Sequence, residues 1–184
     1  MSNVQTENSH FTEKIDLRLI HLPEKQKITV LDLCSADGKL WNSISRLTDK
    51  KITVIRVEKQ SDKKGIYLRG NNLKFIPSLD LHDIDIIDLD SFEIPIRQLD
   101  EIWRCHDVRG KIFFVTFIQS IYGGLPIRML EPLGITKKMY NTIPTLFNNK
   151  GWQLFKAYLV LKGIDHVKYY QFSKKYYLTF KVKN

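Results

Sequence analysis

The sequence predicts an α/β fold: a mostly parallel, seven-stranded sheet in a three-layer sandwich, with an antiparallel hairpin strand at its C-terminal end. Three observations carry that expectation. Short β-branched runs alternate with amphipathic helical runs through the first two thirds of the chain, as βαβ units with right-handed crossovers do. Those runs are apolar along nearly their whole length, the pattern of strands covered on both faces. The chain then ends in two aromatic segments joined by a short polar link, which reads as a hairpin.

The elements follow in order. Residues 1–10 are polar and are expected to be a flexible tail, leaving 11–184 as one domain of the 184-residue chain. Ile15, Leu19 and Leu22 recur at helical spacing from Phe11 onward, with Thr12 as a cap and Pro23 past the end. Strands are expected at 28–33 (ITVLDL), 52–57 (ITVIRV), 84–89 (IDIIDL) and 111–118 (KIFFVTFI), with a weaker one at 66–69. Between them, helix 39–47 puts Leu40, Ile44 and Leu47 on one face. Helix 95–103 opens on Pro95 and turns Leu99, Ile102 and Trp103 inward. Helical stretches at 125–133 and 143–162 follow. Strands 167–172 and 176–182, linked by Ser173, Lys174 and Lys175, close the fold.

Composition narrows the class. A hydrophobic fraction of 43% and a charged fraction of 27% exclude extended disorder. No apolar run reaches the roughly 18 residues of a spanning helix, and no signal-peptide layout opens the chain, so no membrane partner is expected. Cys34 and Cys105 stand far apart with no CxxC pairing and no histidine cluster, which predicts reduced thiols in the cytoplasm and no metal. The net charge of +9 is uneven: residues 101–184 hold 14 Lys or Arg against 4 Asp or Glu. Such a distribution attracts a polyanion, so nucleic acid, RNA or DNA, is the expected partner.

Two strand ends carry the chemistry. At residues 30–38 (VLDLCSADG) a strand closes on Asp32, a loop of small residues follows, and a helix starts after Gly38. Small side chains let backbone N–H groups approach a ligand, and glycine permits a turn that a Cβ obstructs. A dinucleotide site would show GxGxxG and seat a pyrophosphate; Asp32 and Asp37 instead suit a cationic or zwitterionic ligand. The next strand precedes Glu58, whose carboxylate offers two acceptor oxygens to a vicinal diol.

These strings resemble the motifs of class I S-adenosylmethionine-dependent methyltransferases, a Rossmann-like family. Its first motif runs aliphatic-Asp-x-x-x-Gly-x-Gly, matched from Val30 to Gly38 with Ala36 at the first glycine. The resemblance implies S-adenosylmethionine as cofactor. Asp32, Ser35, Ala36 and Gly38 would meet its methionine part, Glu58 its ribose, and Asn71 in the Gly70-Asn71-Asn72 stretch its adenine. Residues 86–95 (IIDLDSFEIP) are similar to the fourth motif, nearest the IDxDPFGSP form of tRNA guanine dimethyltransferases. Asp88, Asp90, Phe92 and Pro95 match, while Ser91, Glu93 and Ile94 depart from it.

The resemblance implies that Asp90 orients or deprotonates an acceptor nitrogen, with Phe92 beside the target base and Pro95 on the substrate side. Asp88 joins the expected cofactor contacts, although strand alternation is expected to turn it away from the face used by Asp90. Gln119 or Ser120 would line the substrate side. Lys174 and Lys175, interleaved with tyrosines at the hairpin, would clamp a nucleic acid. The expected activity is methyl transfer to nucleic acid, RNA ahead of DNA. The alternative is an inactive member of the fold that binds nucleic acid or protein, favoured by the departures at Ala36, Ser91 and Glu93.

Overall fold

The computed structural model describes residues 10–59, 67–91, 95–119 and 127–184. Its elements run α1 (Phe11–Ile20), β1 (Lys27–Asp32), α2 (Lys39–Leu47), β2 (Lys51–Glu58), β3 (Leu68–Arg69), α3 (Asn72–Phe75), β4 (Ile86–Leu89), α4 (Ile96–Cys105), β5 (Ile112–Ile118), α5 (Ile127–Leu130), α6 (Lys137–Thr142), α7 (Pro144–Leu161), β6 (Lys168–Phe172) and β7 (Lys175–Lys181). The seven strands form one sheet in the order β3-β2-β1-β4-β5-β7-β6. Pairings from β3 through to β5 are parallel, and β7 runs antiparallel between β5 and β6. The expected fold class is the one observed.

Chain order makes the sheet reverse direction after β1: β2 and β3 lie to one side, β4 and β5 to the other. A crevice at such a switch point, outside the carboxyl ends of the strands, is where open α/β sheets bind ligands.

Helices cover both faces. On one, α1 and α2 pack Ile15, Leu17, Trp41 and Ile44 onto Ile28, Val30, Ile86, Phe114 and Tyr177. On the other, α4 and α7 pack Leu99, Ile102, Phe155, Tyr158 and Leu159 onto Leu31, Ile87, Phe113, Phe117 and Phe180. This second face is dominated by rings: Phe117 stacks on Phe155 at 4.7 Å, and Phe113 on Phe180 at 5.1 Å.

Details depart from the sequence reading where tertiary packing chose the face. Leu47 is 62% exposed, and α2 buries Trp41 with Ile44 instead. In α1 the buried residues are Ile15, Leu17 and Arg18, while Leu19 is only half-buried. Tyr176 and Tyr177 are both buried because β7 is an interior strand covered on both sides.

Candidate functional site

The carboxyl edge of the sheet gathers most of the residues singled out above. Asp32 ends β1, beside Asp88 of β4 on one side and Arg56 of β2 on the other. Glu58 ends β2 two residues beyond Arg56, so the pleat returns it to the same face as Asp32.

The loop between β1 and α2 is pinned by backbone bonds. Leu33 N–H donates to the Asp88 carbonyl (3.0 Å), Ser35 N–H to Val57 (3.2 Å) and Gly38 N–H to Ser35 (2.8 Å). Two residues of this turn are left-handed: Ala36 at φ 47° and Gly38 at φ 69°. A Cβ on Gly38 would stand 2.9 Å from Arg56 Nε, a contact the long arginine side chain can relieve by shifting, so it is the left-handed conformation that demands glycine there. Ala36 occupies the conformation that glycine adopts without strain, which explains physically why a glycine suits that position.

Behind this loop lies a buried charged cluster. Arg18 of α1 donates from Nε and one terminal nitrogen to both oxygens of Asp88, at 2.7 and 2.8 Å, and Trp41 Nε1 of α2 adds a third bond at 2.7 Å. Arg18 and Asp88 are 2% and 1% exposed, so the pair is sealed in the core. One turn earlier, Lys14 Nζ bridges both oxygens of Asp90 at 2.9 and 2.7 Å, and the Thr116 hydroxyl of β5 donates to Oδ1 at 2.5 Å.

The pairing works because the two pitches agree. Four residues along a helix rise about 6 Å, and two along a strand about 6.6 Å. Lys14 and Arg18 therefore meet Asp90 and Asp88 rung for rung. Residues two apart in a strand share a face, so the expectation that Asp88 turns away from Asp90 is overturned.

The carboxyls of this cluster respond differently. Burial, with the Asp88 charge added, pushes the Asp32 carboxyl up to about 8 against the opposing Ser35 hydroxyl, Cys34 N–H and Arg18 guanidinium. Burial alone would raise Asp90 too, but the Lys14 and Arg18 charges and the Lys14 and Thr116 hydrogen bonds hold it below its ordinary value. Burial and the surrounding carboxylates raise the Cys34 thiol well above its usual range, which disfavours its thiolate.

Compared as a sequence, the chain matches no protein-family model and no curated protein. Solved structures do resemble it. One is a candidate S-adenosyl-L-methionine-dependent methyltransferase from Methanococcus maripaludis, 12% identical, with a TM-score of 0.50 over 100% of this chain and 98% of that one. A second is the methyltransferase subunit of a type I restriction-modification system from Streptococcus thermophilus, 9% identical, with a TM-score of 0.58 over 95% and 44%. A third is precorrin-6y C5,15-methyltransferase from Geobacter metallireducens, 10% identical, with a TM-score of 0.50 over 98% and 92%. The chain has the class I methyltransferase fold. It spans nearly all of the first and third proteins and less than half of the restriction subunit.

Within that methyltransferase fold the remaining expected residues take these places. Ser35 is buried in the first-motif loop. Asn71 caps α3, its side chain accepting from Leu73 N–H at 3.0 Å, while its neighbour Asn72 donates to the Leu33 carbonyl at 2.9 Å. Asn72, not Asn71, is thus the asparagine that touches the loop after β1. Pro95 is buried at the start of α4. Phe92 and Glu93 lie outside the described residues, as does Ser120.

Gln119 turns to α7, where its side-chain oxygen accepts from Trp152 N–H at 3.2 Å. Lys174 and Lys175 stand at the β6–β7 turn. Lys175 pairs with Ile118, and the Lys174 carbonyl accepts from Gln119 N–H at 2.7 Å, so the hairpin tip shares the carboxyl edge with Asp32, Glu58 and Asp90.

The sequence reading missed Lys14, Arg18 and Trp41. The signal available was the i, i+4 spacing of two cations on α1 against the i, i+2 spacing of two acids on one strand. Away from this edge, a cavity of about 370 Å³ at the start of β4 and β5 is lined by Asp80, His82, Cys105, His106, Arg109 and Lys111 among others. Lys111 there donates to the carbonyls of Leu81 and Ile84. Among the described residues no group of acids, histidines or cysteines could hold a metal, and no helix is long and apolar enough to cross a membrane.

Proposed function

We propose that this chain is an S-adenosylmethionine-dependent methyltransferase acting on nucleic acid, with RNA ahead of DNA. The observation that carries the reading is the pair of acids, Asp32 and Glu58, closing neighbouring parallel strands on one face around the left-handed turn Ala36–Gly38. The donor set fits the cofactor. Glu58 has acceptor oxygens for a ribose diol, and a bound sulfonium or ammonium would favour ionisation of the buried Asp32 beside it, an edge better suited to a cation than to a pyrophosphate.

When bound, the cofactor supplies an electrophilic methyl group; the chain's own residues hold and orient. Glu58 takes the ribose, and the backbone and small side chains of Asp32, Ser35, Ala36 and Gly38 take the methionine part. Asn71 and Asn72 border the adenine. Asp90 and Phe92 belong to the acceptor side. Asp88, with three of its hydrogen bonds already made to Arg18 and Trp41, ties α1 and α2 to β4 rather than binding cofactor. On the substrate side, Lys174 and Lys175 add positive charge at the same edge, and the excess of Lys and Arg after residue 100 supports a polyanionic substrate.

A second reading has one observation in its favour: Lys14 and Thr116 occupy Asp90, as they would in a binding module of this fold that has lost transfer. Calorimetric titration with S-adenosylmethionine and its demethylated product separates the two, since absence of heat with either favours the binding module. Labelled methyl transfer to bulk tRNA, bulk DNA and a metabolite extract then tests the substrate class. Glu58→Ala is expected to weaken cofactor binding at least tenfold, about 1.4 kcal/mol. Unchanged affinity removes Glu58 from the site.

A further inference from the structure

A carboxylate has two oxygens and about four lone-pair sites. On Asp88, Arg18 and Trp41 use three, and the group is 1% exposed, so it is closed. On Asp90, Lys14 uses one site on each oxygen and Thr116 the second on Oδ1. Among the described residues one acceptor site is left, on Oδ2, and Asp90 is 18% exposed at the edge of the sheet. Lys14 is itself 13% exposed and lies 5.0 Å above the Tyr177 ring of β7, while Thr116 of β5 holds Asp90, so the ammonium and the carboxylate are each fixed by a second element.

Resting on the methyltransferase reading, we infer that Lys14 is a positioning residue of the transfer site, holding Asp90 so that the Oδ2 site left open among the described residues receives an N–H of the acceptor. Asp90 then works as a fixed hydrogen-bond acceptor and not as a base. A hydroxyl acceptor would need its proton removed before attack, and a carboxylate bridged by an ammonium is poorly suited to take it. An amino nitrogen with an available lone pair needs no such step. Its lone pair forms the new N–C bond, the C–S bond breaks with its electron pair left on sulfur, and the surplus proton leaves to solvent.

The charged and titratable groups around Asp90 are Lys14 and Arg18 on α1, Asp32 and Cys34 at the end of β1, Asp88 on β4 and Tyr177 on β7, with the neutral Thr116 hydroxyl of β5 donating to it. Of these, Lys14 alone bridges both its oxygens, which makes Lys14→Met the decisive variant and Lys14→Arg the conservative one. The test has two arms. In cofactor-free protein, the Asp90 carboxyl carbon is followed by NMR as a function of pH. Wild type is expected to titrate below the ordinary carboxylate range, Lys14→Met at least one unit higher than wild type, and Lys14→Arg near wild type.

In the transfer assay, Lys14→Met is expected to lower kcat at least tenfold with the KM for S-adenosylmethionine within twofold, and Lys14→Arg to restore most of it. A Lys14→Met protein that keeps either the wild-type Asp90 midpoint or the wild-type kcat overturns the inference. If wild type transfers no methyl group yet the midpoint moves, the methyltransferase reading fails while the control of Asp90 by Lys14 stands.

Discussion

The two faces of the sheet are built on different physics. The face under α4 and α7 is a stack of rings and aliphatic side chains: Phe113, Phe117, Phe155, Tyr158 and Phe180 are at most 3% exposed. The face under α1 and α2 buries Arg18, Asp32 and Asp88 at 4% exposed or less, among Trp41, Ile44 and Phe114. Apolar packing tolerates imprecision, because neighbouring side chains relax into small gaps. A buried charge tolerates none, since each unpaired group keeps its full desolvation cost. The ring-filled face therefore carries the bulk of the apolar burial, and the charged face positions the candidate site.

The largest expected effect breaks the charged face. Arg18→Leu leaves Asp88 buried with only Trp41 as partner, and should lower the unfolding free energy by about 3–5 kcal/mol in urea denaturation. Adding Asp88→Asn, which keeps an acceptor for Trp41 without a charge, should recover most of that loss. If the double variant is as unstable as the single one, the cluster is not held by charge pairing. The matching change on the other face is smaller. Phe117→Leu, a 0% exposed ring against Phe155 and Trp152, should cost about 1–1.5 kcal/mol, and a cost equal to that of Arg18→Leu would erase the contrast between faces.

The acids of the charged face give it a pH signature of two signs. Asp32 is pushed up to about 8 in the folded protein from an ordinary value of 3.8, so the folded state holds a proton that the unfolded chain has already lost. Stability from this group therefore falls as pH rises between about 4 and 8, by at most about 1.4 kcal/mol per pH unit. Asp90 is held below its ordinary value and acts oppositely, with a contribution present at neutral pH and lost as pH falls into the acid range. Asp32→Asn should leave stability near pH 4 almost unchanged and raise it progressively toward pH 8. A difference between variant and wild type that does not vary with pH removes the proton from Asp32. The same proton would be displaced by a cation bound beside Asp32, so cofactor binding near pH 7 should release protons, read as calorimetric heats that depend on the buffer.

The two faces also differed in how far they could be read from sequence. Strands β1, β2, β4 and β5 declare themselves by β-branched runs, and the terminal hairpin by its aromatics, because burial on both sides demands apolar residues regardless of partner. The strand order was not legible in those runs, because right-handed crossovers constrain handedness and not which strands become neighbours. β3 has two residues and α3 four, too short for periodicity to register, so the contact of Asn72 with the loop after β1 could not be read from the Gly70-Asn71-Asn72 string.

The charged cluster hid for another reason. Lys14 and Arg18 look like a solvated helix face until the register of α1 against β4 is known, and that register is a long-range property. Asp88 was visible as an acid in a motif, but whether it bound a ligand or a guanidinium depended on α1 some 70 positions away.

The smallest expected effect concerns the turn joining the two faces' functions, at Ala36. Its φ of 47° puts a Cβ in the left-handed region, at a cost of roughly 1–2 kcal/mol relative to glycine. Glycine in exchange has more freedom to lose on folding, which returns about 0.5–1 kcal/mol of that gain. Ala36→Gly should therefore stabilise the protein by no more than about 1.5 kcal/mol. A backbone that reached left-handed φ only because neighbouring bonds force it would behave in this way, and the Gly38–Ser35 and Ser35–Val57 hydrogen bonds are those constraints. Were Ala36→Gly to destabilise the protein in urea, the turn would owe its shape to the alanine methyl packing against the loop. The likeness to a glycine-bearing first motif would then be one of sequence and not of conformation.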